Sequence, residues 1–383
     1  MQPVGYLVAT FPVLSETFVG EEIRAVSQRR PLSLAIMNLS TAPAQPGDLA
    51  LAESATLLRG IPASRAIAGA LRPGARCLSA LWFAARQQRL PRLSLIWNGW
   101  KLAALWRANG CSHVHAHFAG GAAAHAIFAA RWGGMTVSFV CHGHDFYVEP
   151  QDIRIKLRNA DEVVAVCEDL TRDLCAVEPR AKVSCVPCGV DPDRFTPGDR
   201  KETNGRLLFI GRLVPEKGVA ELLDALTMTR ARVKVDIVGD GALRRKLEDR
   251  AAALGLQDRV AFLGARDRTW ISANAGVYEA LVAPFRRGPD GSQDTGPLVV
   301  KEAMAMAIPV ITSRFMGMKQ TVTEDTGFLA EPGNPQSLGE QIDALFAMEP
   351  LARRAMGARG RTRMLERFTT HAQADRLLRV FGG

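Results

Sequence analysis

The sequence predicts an α/β protein made of two doubly wound, Rossmann-like domains whose parallel sheets face one another across a cleft. Three observations carry this expectation. Short apolar runs alternate with helix-like amphipathic segments through both halves, the cadence of parallel sheets covered by helices on both faces. The 383 residues exceed what one hydrophobic core usually organises. A stretch rich in Pro, Gly and charge, DPDRFTPGDRKETNGR, breaks the cadence near the middle.

Taken in order, YLVAT opens the first half as a strand, and apolar periodicity predicts a helix from about Thr17 to Arg29 before the strand LSLAIMN. Two basic amphipathic stretches follow, then the strands HVHAHF, TVSFVCH, EVVAVCE and KVSCVP. The second half repeats the rhythm with RLLFIG, VKVDIVG, RVAFLG, GVYEALVAP and IPVITS, each followed by a helix-like segment. The expected domains are 1–192, a linker over 193–204, a second domain over 205–365, and a C-terminal helix over 366–383 that packs back on the first domain.

With 47% hydrophobic and 23% charged residues and no low-complexity tract, the composition is that of a soluble globular protein. The start, MQPVGYLVATFPVL, lacks the basic region of a signal peptide, and Pro12, Ser15 and Glu16 interrupt it as a membrane span. No other run of spanning length is free of Arg, His or several Gly, so a cytoplasmic location is expected. Seven cysteines, an odd number, argue for reduced thiols. Cys185 and Cys188 form a lone C-x-x-C that reads as a strand-to-loop pair.

The formal net charge of +9 is unevenly spread. No acid falls between Glu53 and Asp145, whereas Arg65, Arg72, Arg86, Arg92, Lys101 and Arg107 all do, interleaved with Trp82, Trp97, Trp100 and Trp106. Basic amphipathic helices with interfacial tryptophans suit peripheral docking on the inner face of the cytoplasmic membrane. The plainer reading is Trp and Leu packed on a sheet with Arg outside. Nucleic-acid binding is disfavoured, because these residues follow helical amphipathicity and no DNA or RNA module appears.

Ligands of doubly wound sheets bind beyond the carboxyl ends of the strands, which directs attention to three loops of the second half. After RLLFIG, Arg212 and Lys217 lie between Gly211 and Gly218. Two cations so spaced can clamp a diphosphate, or can be two solvated charges. After VKVDIVG, Gly239, Asp240 and Gly241 turn into a helix but supply no further glycine for a dinucleotide fingerprint. After GVYEALVAP comes GSQDTGPLVVKEAMA, where Pro297 is expected at the first helical position with the amides of Leu298 and Val299 free for a phosphate. Carboxylates accept hydrogen bonds from sugar hydroxyls, so Asp294 and Glu302 could each hold a hydroxylated ring.

At this point the second half resembles the donor domain of retaining GT-B glycosyltransferases of family four. The residues that carry it are FIGRLVPEKGVAELLDAL, DIVGDGALRRKLE, VAFLG and a Glu-x7-Glu motif, here Asp294-x7-Glu302, leading into EAMAMAIPVITS. The first half is similar to the bacterial exopolysaccharide, colanic-acid-type branch of that family through FPVLSETFVGEEI, HVHAHFA, CHGHDFY and CGVDPDRF. The resemblance implies that Arg212 and Lys217 contact the donor diphosphate, Glu302 the ribose and Asp294 the transferred sugar. Gly211, Gly239, Gly264 and the amides of Gly296, Pro297's neighbour Leu298 and Val299 would complete the donor site. His142 would act beside the reacting sugar, with Ser15, Glu16, Thr17, His117, Gly143 and Asp145 lining the cleft from the first domain. Asp294 stands where Glu is commoner, and Phe285 where a small polar residue is usual.

The resemblance further implies a retaining transfer from a nucleoside-diphosphate sugar, UDP being the commonest carrier, to a glycan or lipid-linked glycan acceptor. It implies no protein nucleophile, no metal and no cofactor beyond the co-substrate. Asp191 and Asp193, in DPD, read as turn formers rather than a metal motif. His113, His115 and His117 alternate along one strand, so a zinc site is geometrically conceivable. No carboxylate or cysteine is expected to complete a ligand set with them, and packing or cleft lining is the expected role. An epimerase-type sugar-nucleotide enzyme on the same fold is the alternative.

Overall fold

The computed structural model describes residues 2–198 and 203–382. Part of the expected linker, residues 199–202, lies outside the described residues. The chain divides into two units, Met1–Cys188 with Gln373–Gly383, and Gly189–Ala372.

In the first unit the strands are β1 Val4–Phe11, β2 Leu32–Leu39, β3 Thr56–Leu57, β4 His113–His117, β5 Thr136–Cys141, β6 Glu162–Ala165 and β7 Val183–Cys185. They form one sheet in the order β3-β2-β1-β4-β5-β6-β7, and each recorded pairing is parallel. The helix expected over 17–29 runs Thr17–Ser27. The two basic stretches become three helices, Ala63–Ala70, Cys77–Ala85 and Arg92–Ala108, because Pro73 and Pro91 interrupt them. The helix Pro46–Ser54 and the two-residue β3 were not foreseen, for neither has an apolar run long enough to show a period.

The second unit carries β8 Arg206–Ile210, β9 Lys234–Val238, β10 Val260–Gly264, β11 Ala280–Ala283, β12 Val310–Ser313 and β13 Gly327–Ala330. Their order, β10-β9-β8-β11-β12-β13, is again parallel. Its core joins sheet residues such as Leu207, Phe209 and Ile237 to the helix residues Leu222, Leu226 and Ile342, all fully buried. Each such side chain contributes about 1.5–3 kcal/mol relative to exposure.

Chain order reverses between β1 and β4 in one sheet and between β8 and β11 in the other. These are the topological switch points, where loops from neighbouring strands leave in opposite directions and open a crevice. Among the described residues no helix is long and apolar enough to cross a membrane, and the seven cysteines are free thiols.

Candidate active site

At the β8/β11 switch point the structure brings together residues far apart in sequence. Lys217 ends the single turn Pro215–Lys217 that follows β8, and its ammonium donates to the Asp294 carboxylate in the loop after β11. The same ammonium lies 4.9 Å from the centre of the Phe285 ring, a cation–π contact beneath a ring that is 1% exposed. Phe285 therefore positions the lysine, a task its substitution for a small residue did not reveal. The two loops are stitched further by Arg286 N–H donating to Glu216 O at 3.0 Å and by an Arg286–Glu221 ion pair.

Gly218 follows at φ +71, where a Cβ would stand 1.9 Å from Pro284 O. Gly239 is more constrained still, because a Cβ there would stand 1.8 Å from Gly211 O. Gly211 N–H donates to Val238 O and Gly239 N–H to Gly264 O, at 3.0 and 2.9 Å. The three glycines thus hold the carboxyl ends of β8, β9 and β10 together as bare backbone, which admits a ligand close to the main chain.

Two expectations for this loop change. The helix begins at Leu298, running Leu298–Ala305, with Pro297 at the cap at φ −59 and ψ 131 rather than in the first turn. Proline keeps its φ while extended ψ lets the chain enter from the loop; because proline has no N–H, the first orphan amides are still those of Leu298 and Val299. Gly296 and Val299 flank this turn half-buried, and Gly317 N–H, donating to Thr295 O at 3.1 Å, pins it. Arg212 is not drawn to Lys217 as a preformed clamp. Its side chain is 67% exposed and reaches Glu216 at 3.7 Å. Glu302 sits buried on the helix with Arg268 Nη2 at 3.4 Å. Arg268 was missed by sequence reasoning, for it belongs to a different segment, Arg268–Asn274, with no motif of its own.

In the first unit, loops after β1 and β4 border a cavity of about 290 Å³ lined by Thr10, Val13, Glu16, Phe118, His144 and Asp145 among others. Burial raises the Glu16 carboxyl, with His117 opposing and Asp145 adding to the shift. Ser15 is exposed and Thr17 is buried at the helix start. The Asp145 carboxylate is taken up by backbone: it accepts from Ala119 N–H at 2.7 Å and from His142 and Gly143 N–H at 3.0 Å. Burial raises its pKa against the pull of those amides. Lys156, which no motif flagged, donates to Ala119 O and Gln151 O at 2.6 Å each, and burial lowers its pKa to about 8. Asp145 and Lys156 clamp the Ala119 peptide from both sides, next to Phe118 at φ 66. A left-handed phenylalanine costs on the order of 1–3 kcal/mol, which those charge-assisted bonds offset.

His142 stands in an aromatic surround, with ring centres of Phe18 at 4.5 Å, Phe118 at 4.8 Å and His117 at 5.8 Å. Burial, then His117, holds it well below the usual imidazole range. His117 was expected to line a cleft and is instead fully buried. Its side chain points under the helix Thr17–Ser27, where Glu22 lies 3.1 Å from Nε2 and 3.7 Å from His115 Nε2. The expectation that no carboxylate stands near the histidine run is thereby overturned, since helix and strand meet only on folding. His113 is apart, bonded to Thr136 and Ser138 hydroxyls at 2.8 and 2.7 Å. Asp191 does form a local turn, accepting from Asp193 N–H at 3.0 Å.

The basic, tryptophan-bearing region is mixed in character. Trp106 is fully buried, donating to Ser33 O at 3.2 Å, and Trp100 packs on Trp132 at 5.6 Å. Arg76 pairs with Asp161 at 2.7 Å. Outside, Leu71, Leu78 and Leu93 are 76–84% exposed, beside Ile67 at 55% and Trp82 at 46%. Trp97 is 39% exposed, and Arg65, Arg72, Arg86, Arg89 and Arg92 are exposed with them.

Known proteins agree with this architecture. Residues 192–363 match the model of glycosyl transferases group 1, and residues 71–194 that of glycosyltransferase family 4. The chain is 28% identical to the GDP-mannose-dependent alpha-(1-6)-phosphatidylinositol monomannoside mannosyltransferase of Mycolicibacterium smegmatis, over 67% of this chain and 72% of that one. It is 31% identical to the D-inositol 3-phosphate glycosyltransferase of Geodermatophilus obscurus, over 52% of this chain and about half, 49%, of that relative. The structure of Anabaena HepE in complex with UDP has a TM-score of 0.76 at 17% identity and covers 100% of both chains, a likeness of fold. Two family models in tandem over two parallel, doubly wound sheets place the chain in glycosyltransferase family 4, with the GT-B fold.

Proposed function

We propose that this glycosyltransferase moves a sugar, with retention, from a nucleoside-diphosphate sugar to a lipid-linked glycan in the synthesis of a bacterial exopolysaccharide or other cell-surface polysaccharide. The observation that carries the reading is the meeting of Lys217 and Asp294 at the β8/β11 switch point, beside the N-terminus of the helix Leu298–Ala305. There the lysine and the helix amides favour a diphosphate, while Asp294 accepts from sugar hydroxyls and Glu302 from those of the ribose. Arg212, on its exposed arm, adds to the positive charge once the ligand is present. The glycine-lined ends of β8, β9 and β10 admit the nucleotide against bare backbone.

In the reaction the bond from the anomeric carbon to the diphosphate oxygen breaks, and the acceptor hydroxyl oxygen bonds to that carbon from the same face. The acceptor proton passes to the departing phosphate oxygen. Lys217, Arg212 and the helix N-terminus stabilise the charge that grows on the leaving group. His142, kept neutral by burial, is the first unit's candidate for a hydrogen bond to a sugar hydroxyl. No metal is called for in this transfer. The acceptor hydroxyls suit the Glu16-lined cavity of the first unit.

UDP is the carrier in this reading, and relatives named as GDP-mannose-dependent favour GDP as the second. A thermal-shift series with UDP-, GDP- and ADP-sugars separates them. Ligand at about 100 times its Kd stabilises by about 2.7 kcal/mol, a rise of roughly 5–10 °C for a domain of this size. A flat response to all three carriers would remove the donor assignment. Radiolabelled sugar that stays on the nucleotide, merely epimerised, would replace the transferase with the epimerase-type alternative.

The exposed leucines, Trp82 and arginines of the helices over 63–108 are proposed to dock on anionic membrane, each cation contributing about 1 kcal/mol near the surface. The protein is expected to co-sediment with vesicles containing phosphatidylglycerol, less so in high salt, and Leu78→Ser with Trp82→Ser to lower binding at least about 10-fold. Equal binding to purely zwitterionic vesicles, or none to either kind, would count against docking.

A further inference from the structure

We propose that Glu22, His115 and His117 form a buried zinc site that ties the helix Thr17–Ser27 to β4 in the first unit. One ligand atom from each lies within 4.8 Å of the others. Glu22 Oε1 stands 3.1 Å from His117 Nε2 and 3.7 Å from His115 Nε2. Ligands at about 2.0–2.1 Å on a tetrahedral zinc ion stand roughly 3.3–3.4 Å apart, so small side-chain rotations close the set around an ion. Two imidazoles and a carboxylate are a ligand combination that zinc accepts.

A second observation comes from polar atoms that protein alone leaves unmatched. His117 Nδ1 is buried without a hydrogen-bond partner, and the buried Nε2 atoms of His115 and His117 make no contact of hydrogen-bond geometry, the Glu22 carboxylate being the polar group they face. Buried nitrogens of that kind are rare in native cores. The surrounding groups are also arranged as outer partners to metal ligands usually are. His115 Nδ1 lies 2.7 Å from Ser138 Oγ; with its proton there, the Nε2 lone pair faces Glu22. Gln373 Nε2 donates to Glu22 Oε2 at 2.7 Å, which leaves Oε1 turned toward the imidazoles. Tyr6 donates to that Oε1 from 3.3 Å.

Strand alternation puts His115 and His117 on one face of β4, and Glu22 reaches them from the covering helix. Sealed from solvent, the ion would enter as the unit folds, so its binding is linked to stability. It would have no part in the donor chemistry of the second unit.

The test uses the full chain without a polyhistidine tag, grown with zinc supplementation. About one equivalent of zinc is expected by elemental analysis. Refolding with cobalt alone should give the visible absorption of a low-symmetry cobalt ion bound by imidazole and carboxylate, which the protein without metal lacks. Glu22→Gln and His117→Gln should each lower cobalt affinity by at least about 100-fold, the upper end of what loss of a mere outer partner costs. His125→Gln, whose native Nδ1 bonds Gly121 O elsewhere in the unit, should leave metal content unchanged. Wild-type protein that is metal-free and takes up neither ion on refolding overturns the site without recourse to any variant. Metal retained in full by both ligand variants, with folding verified by circular dichroism, overturns it as well.

Discussion

Replacing Lys217 with alanine is expected to lower kcat/KM for sugar transfer by about 100- to 1,000-fold, the usual effect of removing one preorganised group from a developing oxyanion. The structure gives reasons for the high end. Lys217 is held by Asp294 and by the Phe285 ring, so it meets the leaving diphosphate with little reorganisation. Its removal leaves the Asp294 carboxylate, 21% exposed, without that cation, and the approaching diphosphate then meets negative charge. Lys217→Ala with Asp294→Asn should therefore be less impaired than Lys217→Ala alone. Stability should fall by about 1–3 kcal/mol, since the largely buried Asp294 carboxylate is left without its partner, a loss that leaves the protein folded. The measurement is initial rate with radiolabelled donor, alongside thermal unfolding. A loss of under threefold would contradict the role proposed for Lys217.

Glu302→Ala is expected to raise the donor KM and to lower kcat/KM by about 10- to 100-fold, the equivalent of one hydrogen bond to a charged group. The carboxylate sits in the second turn of Leu298–Ala305, with Arg268 at 3.4 Å fixing its direction. Because ribose is bound alike before and during transfer, the loss should fall mainly on KM. Nucleotide alone should bind the variant as weakly as the full donor does. A pure kcat effect with unchanged UDP or GDP affinity would move Glu302 away from the ribose.

Much of the fold could be read from the chain because it rests on local pattern. A strand in a sheet covered on both faces must be nearly all apolar, and RLLFIG and VKVDIVG announce themselves for that reason. Breaks at Pro and Gly likewise mark loops. The donor loops were found through their spacing, Arg212 to Lys217 and Asp294 to Glu302. What spacing could not show was who neutralises whom: Lys217 with Asp294, Glu302 with Arg268, Asp145 with three backbone amides. Phe285 shows in the sequence only as a departure from the usual small residue and Lys156 carries no motif at all, yet each holds a piece of a switch-point loop.

The histidine strand makes the same division. The sequence by itself determined two parallel, doubly wound sheets and the loops at which a charged sugar donor would be sought, because hydrophobic period and turn chemistry are properties of neighbours along the chain. Only the tertiary structure decided that His117 is buried against Glu22 and that Arg212 stands apart in solvent. Such pairings depend on which helix face folds over which strand, and that is settled by the packing of the whole core.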